Sequence, residues 1–180
     1  MRVEKFEHAF PLMYNCPMIE KPLEVLAGDL LRQRGWRLAA AESCTGGLVG
    51  HRLTNVPGSS DYYIGGIIAY ANEAKMRLLG VRWDTLEKYG AVSRQTVLEM
   101  ARGVRQSLST DIGLSVSGIA GPGGGTPEKP AGLTWIGLSA PDYENAWQHI
   151  WSGDRIFNKE HSAQAVLQHL VDFLQANSPL

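Results

Sequence analysis

The chain is poor in cysteine, and its two cysteines support neither a disulfide framework nor a metal site. Only Cys16 and Cys44 occur among the 180 residues. Two isolated cysteines do not match the spacing of metal-binding cysteines and do not form the disulfide framework of a small secreted protein. The composition suits a reducing compartment, so we expect a cytoplasmic protein without a cysteine-based metal centre.

The sequence also lacks a surplus of positive charge and any long apolar run. The net charge is -1 and the pI is about 6.5, which argues against binding to nucleic acid. No stretch approaches the roughly 18 apolar residues of a membrane span. Charges at Arg2, Glu4, Lys5 and Glu7 interrupt the N-terminus, where a signal peptide would need an apolar segment. We therefore expect no nucleic-acid partner, no membrane partner and no signal peptide.

The length of 180 residues, with 44% hydrophobic and 19% charged residues, fits one globular domain. Residues 1–20 have weak periodicity and contain Pro11 and Pro17. We interpret them as an N-terminal arm that is partly disordered or packs on a neighbouring subunit, and we assign residues 21–180 to the domain. Homo-oligomers are common among soluble proteins, so a homo-oligomer is expected.

Helical and strand patterns alternate along the domain. Helices are predicted from Leu23 to a stop at Gly35 and over 46–54, 72–79, 84–89, 93–109 and 159–175, and strands over 38–41, 62–70, 112–117, 133–139 and 146–151. This order predicts an α/β fold with helices on both faces of a mixed, mostly parallel sheet. The last two strands are close enough to form an antiparallel hairpin.

Ser43 stands where the first strand gives way to a helix, followed by Gly46 and Gly47. Backbone N–H groups converge at a helix start, and the helix dipole there favours negative charge. A serine in this position is a candidate nucleophile. The alternative is an ordinary serine N-cap.

A serine nucleophile needs a base, and no Gly-x-Ser-x-Gly motif surrounds Ser43. The histidines stand in unremarkable settings: His8, His51, His149, His161 and His169. A lysine whose pKa is lowered by burial can take their place. Lys75 lies one turn into the helix after the strand that ends at Tyr70, and parallel strand ends cluster at one edge. Tyr70 could relay a proton or orient Lys75. The alternatives are a solvated lysine and a structural aromatic residue at the sheet end.

Two further features compete for a role. Cys44 is an alternative nucleophile, but no histidine lies near it in the sequence. The segment 117–132 is rich in glycine and proline but matches neither the phosphate-binding nor the dinucleotide-binding pattern. Its glycines would let backbone amides approach an anion closely. We interpret it as a substrate-binding loop, with a purely structural loop as the alternative.

At these residues the sequence resembles the CinA C-terminal domain family, whose enzymatic members are nicotinamide-nucleotide amidohydrolases. The resemblance covers roughly residues 23–175. It rests on motifs in the same order along the chain: Ala41-Glu42-Ser43-Cys44-Thr45-Gly46-Gly47, Gly65-Gly66 with Tyr70, Asn72 and Lys75, Leu79-Gly80-Val81, Gly90-Ala91-Val92-Ser93, the loop 117–132 and Gly153-Asp154-Arg155.

The resemblance implies a three-layer α/β/α sandwich and a serine nucleophile assisted by tyrosine and lysine, here Ser43, Tyr70 and Lys75. The implied reaction is deamidation of nicotinamide mononucleotide, a pyridine nucleotide, with no metal or organic cofactor. Backbone amides near Thr45, Gly46 and Gly47 would hold the oxyanion. The resemblance also implies contacts to ribose or phosphate, and the residues expected to make them are Gly121, Gly123, Gly124, Thr126, Lys129 and Arg155.

The chain departs from the family at Lys159, where a second arginine is common. Lysine keeps the charge but loses the planar fork that can grip a phosphate at two points. Reduced activity or a changed substrate would follow if that arginine holds the substrate. Two alternatives therefore stay open: a catalytically silent nucleotide-binding or interaction module, and an amidase of another small carboxamide. The larger domain that precedes this unit in some relatives is absent from the sequence, so its pyrophosphatase activity is not expected.

Overall fold

A computed structural model describes residues 21–177, so the predicted N-terminal arm lies outside the described residues. The helices and strands are, in chain order, α1 Leu23–Arg34, β1 Leu38–Glu42, α2 Leu48–Thr54, β2 Tyr63–Ile68, α3 Asn72–Leu79, α4 Trp83–Tyr89, α5 Arg94–Ser107, β3 Ile112–Gly118, β4 Leu133–Ala140, β5 Tyr143–Ile150 and α6 Arg155–Ala176. The predicted order of elements is confirmed.

Several boundaries differ from the predicted ones. Strand β2 ends at Ile68, so Tyr70 lies beyond the sheet rather than in it. Helix α2 begins at Leu48 because Gly46 and Gly47 have positive φ angles of 65° and 102°, which a helix cannot contain. Helix α6 begins at Arg155, where Asp154 accepts a hydrogen bond from the Phe157 amide as an N-cap.

One mixed five-stranded sheet runs through the fold in the order β2-β1-β3-β4-β5. Strand β1 pairs in parallel with β2 and β3, whereas β3–β4 and β4–β5 are antiparallel. The mixed sheet and the hairpin of the last two strands are confirmed. Parallel pairing is confined to one half of the sheet, because the loop after β3 returns the chain directly as β4 without a crossover helix.

Helices cover both faces of the sheet and give the three-layer α/β/α sandwich. On β1, Leu38 and Ala40 belong to the apolar core shared with α1, α2 and α6, whereas Ala39 and Ala41 face the core shared with α3, α4 and α5. This alternation is the period-two pattern of a strand. All five residues of β1 are buried, as expected of a central parallel strand.

The helices α3 and α5 come into backbone contact at one glycine. A Cβ atom added at Gly103 of α5 would lie 1.9 Å from the Leu79 carbonyl oxygen, which closes α3. Only a residue without a side chain fits there. The contact sets how close α3 lies to α5, and α3 carries Lys75.

Within residues 21–177, no helix is both long enough and apolar enough to cross a membrane. The same residues contain no group of three or more histidine, cysteine, aspartate or glutamate side chains that could hold a metal ion.

Candidate active site

The candidate site lies at the carboxyl end of the parallel half of the sheet. In the register of this half, Glu42 at the end of β1 stands opposite Ile68 of β2 and Val116 of β3. Ser43 follows β1, and its amide donates to the Val116 carbonyl at 3.0 Å. Because the parallel strands end level, the residues that follow them meet at one edge, as the sequence predicted.

Lys75 brings α3 to this edge and contacts Ser43 directly. Its side chain is 1% exposed, and its Nζ lies 3.0 Å from the Ser43 hydroxyl oxygen. The same nitrogen donates to the carbonyls of Ala69 at 2.8 Å and Tyr70 at 3.1 Å. Lys75 is therefore not a solvated lysine, which was the alternative that the sequence left open.

Burial lowers the pKa of the Lys75 amine, because a charged ammonium loses its hydration there. Within the described range, no carboxylate forms a salt bridge with Lys75. A neutral amine has two N–H donors and one lone pair. In that form the two carbonyls would accept the donors, and the lone pair would face the Ser43 hydroxyl. This is the hydrogen-bond arrangement of a nucleophile with its base.

Cys44 does not compete with Ser43. Burial raises the pKa of the Cys44 thiol to about 12, and the negative charge of Glu42 adds to the effect. The reactive thiolate is therefore scarce at neutral pH. The sulfur packs at the end of β3, 3.1 Å from where a Cβ of Gly118 would lie. Cys44 is a small apolar residue beneath the site.

Tyr70 takes part in an unexpected way. Its side chain is 62% exposed, and its hydroxyl oxygen accepts from Arg155 at 2.9 Å. The backbone carbonyl of Tyr70, not its phenol, contacts Lys75. Tyr70 therefore orients the lysine through its main chain, whereas a proton relay through the phenol has no contact to support it.

The turn after Ser43 corrects the expected oxyanion site. The Gly46 amide donates to the Ser43 carbonyl at 3.1 Å, and the Gly47 amide donates to the Glu42 carboxylate at 2.9 Å. Neither is available to a ligand. Among residues 21–177, no oxygen accepts from the amides of Cys44 and Thr45. Both amides lie close to the Cys44 sulfur instead.

Glu42 is the site residue that the sequence analysis missed. Its carboxylate is 3% exposed and accepts from the Thr45 hydroxyl and from the amides of Gly47, Val49 and Gly50, at 2.6 to 3.1 Å. The sequence could have indicated this role, because Glu42 lies just before a predicted helix and carboxylates are stabilised at helix N-termini.

The glycine-rich loop lies beside the site, but two of its polar side chains are used within the protein. Lys129 donates to the carbonyls of Tyr89 at 2.6 Å and Val92 at 2.9 Å. Thr126 accepts from the Lys129 amide at 3.1 Å in a local turn. Lys129 and Thr126 therefore hold the loop against the start of α5 instead of facing a ligand. Gly123 and Gly124 are exposed.

Arg155 and Lys159 place two cations at the mouth of the site. Arg155 joins the loop to the strand end, because it donates to the Gly121 carbonyl at 3.0 Å as well as to Tyr70. The Lys159 ammonium lies 3.8 Å from where a Cβ of Gly46 would stand. Within residues 21–177 it forms no ion pair. It faces the turn that carries Ser43.

Among residues 21–177, the histidines make their hydrogen bonds to residues other than Ser43. His149 and His169 bond each other, His161 bonds the Phe157 carbonyl, and His51 contacts Asn55. His8 lies outside the described residues.

Comparison with known proteins agrees with this architecture. A family model described as the CinA C-terminal domain matches residues 20–174. A "CinA-like protein" of Salinibacter ruber is 51% identical over 146 residues, which are 81% of this chain and 35% of that protein. A "putative competence-damage inducible protein" of Halothermothrix orenii is 52% identical over 149 residues, 82% of this chain and 36% of that protein. The chain therefore spans about a third of the length of these curated relatives.

Solved structures share the fold. A competence damage-inducible protein from Klebsiella pneumoniae superposes with a TM-score of 0.84 at 33% identity, covering 87% of this chain and 97% of that one. A competence or damage-inducible protein from Enterobacter asburiae gives a TM-score of 0.82 at 36% identity, covering 84% and 96% of the two chains.

Proposed function

The chain belongs to the CinA C-terminal domain family, and from this premise we propose that it is an amidohydrolase acting on nicotinamide mononucleotide. The products would be nicotinic acid mononucleotide and ammonia. One observation carries the proposal: the buried amine of Lys75 lies 3.0 Å from the Ser43 hydroxyl and has no carboxylate partner in the described chain. A nucleophile and a base of lowered pKa in direct contact are the parts that acyl transfer needs.

The first half of the reaction forms an acyl-enzyme. Ser43 attacks the carboxamide carbon while neutral Lys75 takes its proton. The Lys75 ammonium then returns the proton to the amide nitrogen, the C–N bond breaks and ammonia leaves. Each step uses a group that already lies at the Ser43 turn.

The second half releases the acid. Lys75 is neutral again once ammonia has left, so it can take a proton from water as the water attacks the acyl carbon. The Lys75 ammonium then gives that proton back to the Ser43 oxygen, which leaves as the hydroxyl.

Substrate binding rests on the cations at the mouth of the site. Arg155 and Lys159 complement a phosphate group, and lysine acts on it as a point charge rather than a two-point clamp. The exposed ring of Tyr70 offers an aromatic surface to a pyridine ring. The exposed glycines of the loop, Gly123 and Gly124, allow close approach of a ribose or phosphate.

The test incubates purified protein with nicotinamide mononucleotide and measures ammonia. Loss of turnover in both Ser43→Ala and Lys75→Ala supports the enzyme, with Lys88→Ala on the exposed face of α4 as a matched lysine control. Turnover that survives Ser43→Ala would reject the mechanism.

A nucleotide-binding module without activity is the second candidate, and Lys159 is the observation that favours it. If the planar fork of arginine is needed to seat the substrate, the pocket would bind without turning over. Calorimetric binding of nicotinamide mononucleotide without ammonia release would support this candidate. Release of ammonia from another small carboxamide, but not from the mononucleotide, would indicate an amidase of different specificity.

A further inference from the structure

Glu42 is a buried carboxylate that the proposed chemistry does not consume. It is 3% exposed and has no ion-pair partner in residues 21–177. A buried charge without a counter-ion is costly unless hydrogen bonds replace its hydration. The sequence places this charge directly before Ser43, where an apolar residue would also complete the strand.

The hydrogen bonds to the Glu42 carboxylate come from the segment that follows Ser43. One carboxylate oxygen, Oε2, accepts from the Thr45 hydroxyl at 2.6 Å and from the amides of Gly47 at 2.9 Å and Val49 at 3.1 Å. The other, Oε1, accepts from the Gly50 amide at 2.8 Å. The carboxylate thus ties the turn that carries Ser43 to the first turn of α2.

The main chain of Glu42 also supports Lys75, the residue that contacts the Ser43 hydroxyl. Its carbonyl accepts from the Ala69 amide at 2.8 Å. The Ala69 carbonyl in turn accepts from the Lys75 amine at 2.8 Å. One residue therefore holds both the turn of the hydroxyl and the carbonyl that aims the amine.

We propose that Glu42 is a positioning residue that keeps the Ser43 hydroxyl in line with Lys75. The inference rests on the proposed role of Ser43 as the nucleophile. Proton transfer and attack need the reacting groups held within a fraction of an ångström, and side chains supported by second contacts provide that precision.

A purely stabilising carboxylate would behave differently. It would lower the melting temperature when replaced, but the molecules that remain folded would react at the normal rate. A positioning residue changes kcat and the chemical reactivity of Ser43 in the folded protein, whereas KM for a substrate bound elsewhere in the pocket stays close to its original value.

Glu42→Gln is the sharpest variant, because it nearly keeps the shape of the side chain and changes one oxygen to an NH₂ group. If the remaining oxygen keeps the three donors at Oε2, the NH₂ group faces the Gly50 amide, donor against donor. The matched control is Glu24→Gln. Glu24 is a partly buried carboxylate of α1 that binds Arg52 of α2 at 2.6 Å without contacting the Ser43 turn.

Two readouts are taken well below the melting temperature of each variant. The first is kcat and KM for nicotinamide mononucleotide. The second is the rate at which phenylmethylsulfonyl fluoride modifies Ser43, followed by mass spectrometry. In that reaction the Ser43 oxygen bonds to sulfur, fluoride leaves and Lys75 takes the proton. Glu42→Gln is expected to lower both rates by roughly 100-fold with KM little changed, whereas Glu24→Gln keeps both rates.

Wild-type kcat and labelling rate in Glu42→Gln would overturn the inference. If that variant does not fold, Thr45→Val removes one donor from the carboxylate, and a labelling rate equal to wild type would overturn the inference in the same way. Wild-type protein that is labelled at Ser43 but releases no ammonia would sink the proposed substrate, and the labelling comparison would still decide the role of Glu42. Wild-type protein that resists labelling would overturn both proposals.

Discussion

The two halves of the sheet each contain basic side chains shielded from solvent, fully at Lys75 and partly at His149 and His169, and of these three Lys75 contacts a hydroxyl group. At the parallel half, Lys75 lies 3.0 Å from the Ser43 hydroxyl. At the antiparallel half, the Nε2 atoms of His149 on β5 and His169 on α6 lie 2.9 Å apart. Burial lowers the pKa of all three basic groups. A lowered pKa therefore marks burial in this protein, and the neighbouring atom decides whether chemistry can follow.

The histidine pair is built for packing. The His169 ring stacks on Trp147 at 4.1 Å between ring centroids, and the His149 ring stacks on Trp151 at 4.9 Å. Each ring is enclosed by an aromatic neighbour and by the other imidazole, so the pair joins the edge strand β5 to α6. No serine, cysteine or threonine hydrogen-bonds either ring in the described chain. We therefore expect changes at Lys75 to alter the reaction rate and changes at the histidine pair to alter the stability of the fold.

Replacing Lys75 should give the largest effect on activity. It tests whether the contact between Lys75 and Ser43 determines the reaction rate. Lys75→Met keeps the length of the side chain but removes the base, and kcat for ammonia release from nicotinamide mononucleotide should fall by about 10² to 10⁴. The folded protein should become no less stable, because a buried amine of lowered pKa costs stability at neutral pH. Activity assays and thermal melts of one preparation check both statements.

A loss of activity accompanied by a large drop in melting temperature would contradict this reading. It would mean that the amine holds the fold together through the Ala69 and Tyr70 carbonyls, and the difference between the two halves of the sheet would disappear.

The pH dependence of activity comes next. Because Ser43 is activated only by the neutral amine, kcat/KM should rise about tenfold per pH unit on the acid side and level off above the Lys75 pKa. Burial places that pKa below the ordinary lysine value of 10.5. A rate profile from pH 5 to 10 checks it. A profile that is flat across this range would show that proton transfer to Lys75 does not limit the rate.

The histidine pair should govern acid stability instead. Burial, followed by the charge of His149, lowers the pKa of His169 to about 4, against an opposing effect of Asp172. The unfolded chain binds the proton near pH 6.5, so stability is complete above that pH and is lost as the pH falls toward 4. The loss should be about 1 to 2 kcal/mol, because partial exposure screens part of the effect.

Denaturant melts across pH 4 to 7 measure this loss. His169→Gln should flatten the pH dependence, whatever its effect on stability at pH 7. His51→Gln, at an exposed position of α2, is the control and should keep the slope. An unchanged slope in His169→Gln would remove the histidine pair as its source.

Tyr70→Phe should give the smallest effect. The phenol contacts Arg155 rather than the reacting groups, so its loss removes one exposed hydrogen bond, about 1 kcal/mol. Because that contact lies at the mouth of the site, the loss should appear in KM with kcat retained. A large fall in kcat would restore the phenol as a proton carrier and weaken the claim that only groups in contact with Ser43 set the rate.

Much of this could be predicted from the sequence, because chain order and strand direction carry the information. Parallel strand ends meet at one edge, so Ser43 and the chain after β2 had to lie together, and Lys75 one turn into α3 points back toward that edge. Residue patterns predicted the order of the helices and strands, although several of their boundaries differ in the structure.

The parts that could not be predicted depend on which way polar groups turn in three dimensions. The Gly46 and Gly47 amides were expected to face a ligand, but the Ser43 carbonyl and the Glu42 carboxylate reach them first. Lys129 was expected to bind a phosphate, but its amine donates hydrogen bonds to the carbonyls of Tyr89 and Val92. Which oxygen atom accepts a hydrogen bond from a given N–H group depends on the positions of side chains and loops in the folded protein. The order of residues in the sequence does not contain that information.

The backbone contact at Gly103 links the position of α3, and with it Lys75, to a residue of α5. Leu79, whose carbonyl would meet any added methyl at 1.9 Å, lies on α3 one helical turn beyond Lys75. A bulkier residue at Gly103 would force α3 and α5 apart at this contact, and α3 carries Lys75, although no residue of the site itself would be replaced. Tuning reactivity by mutation, in nature or in the laboratory, can therefore begin at a position that touches no reactant.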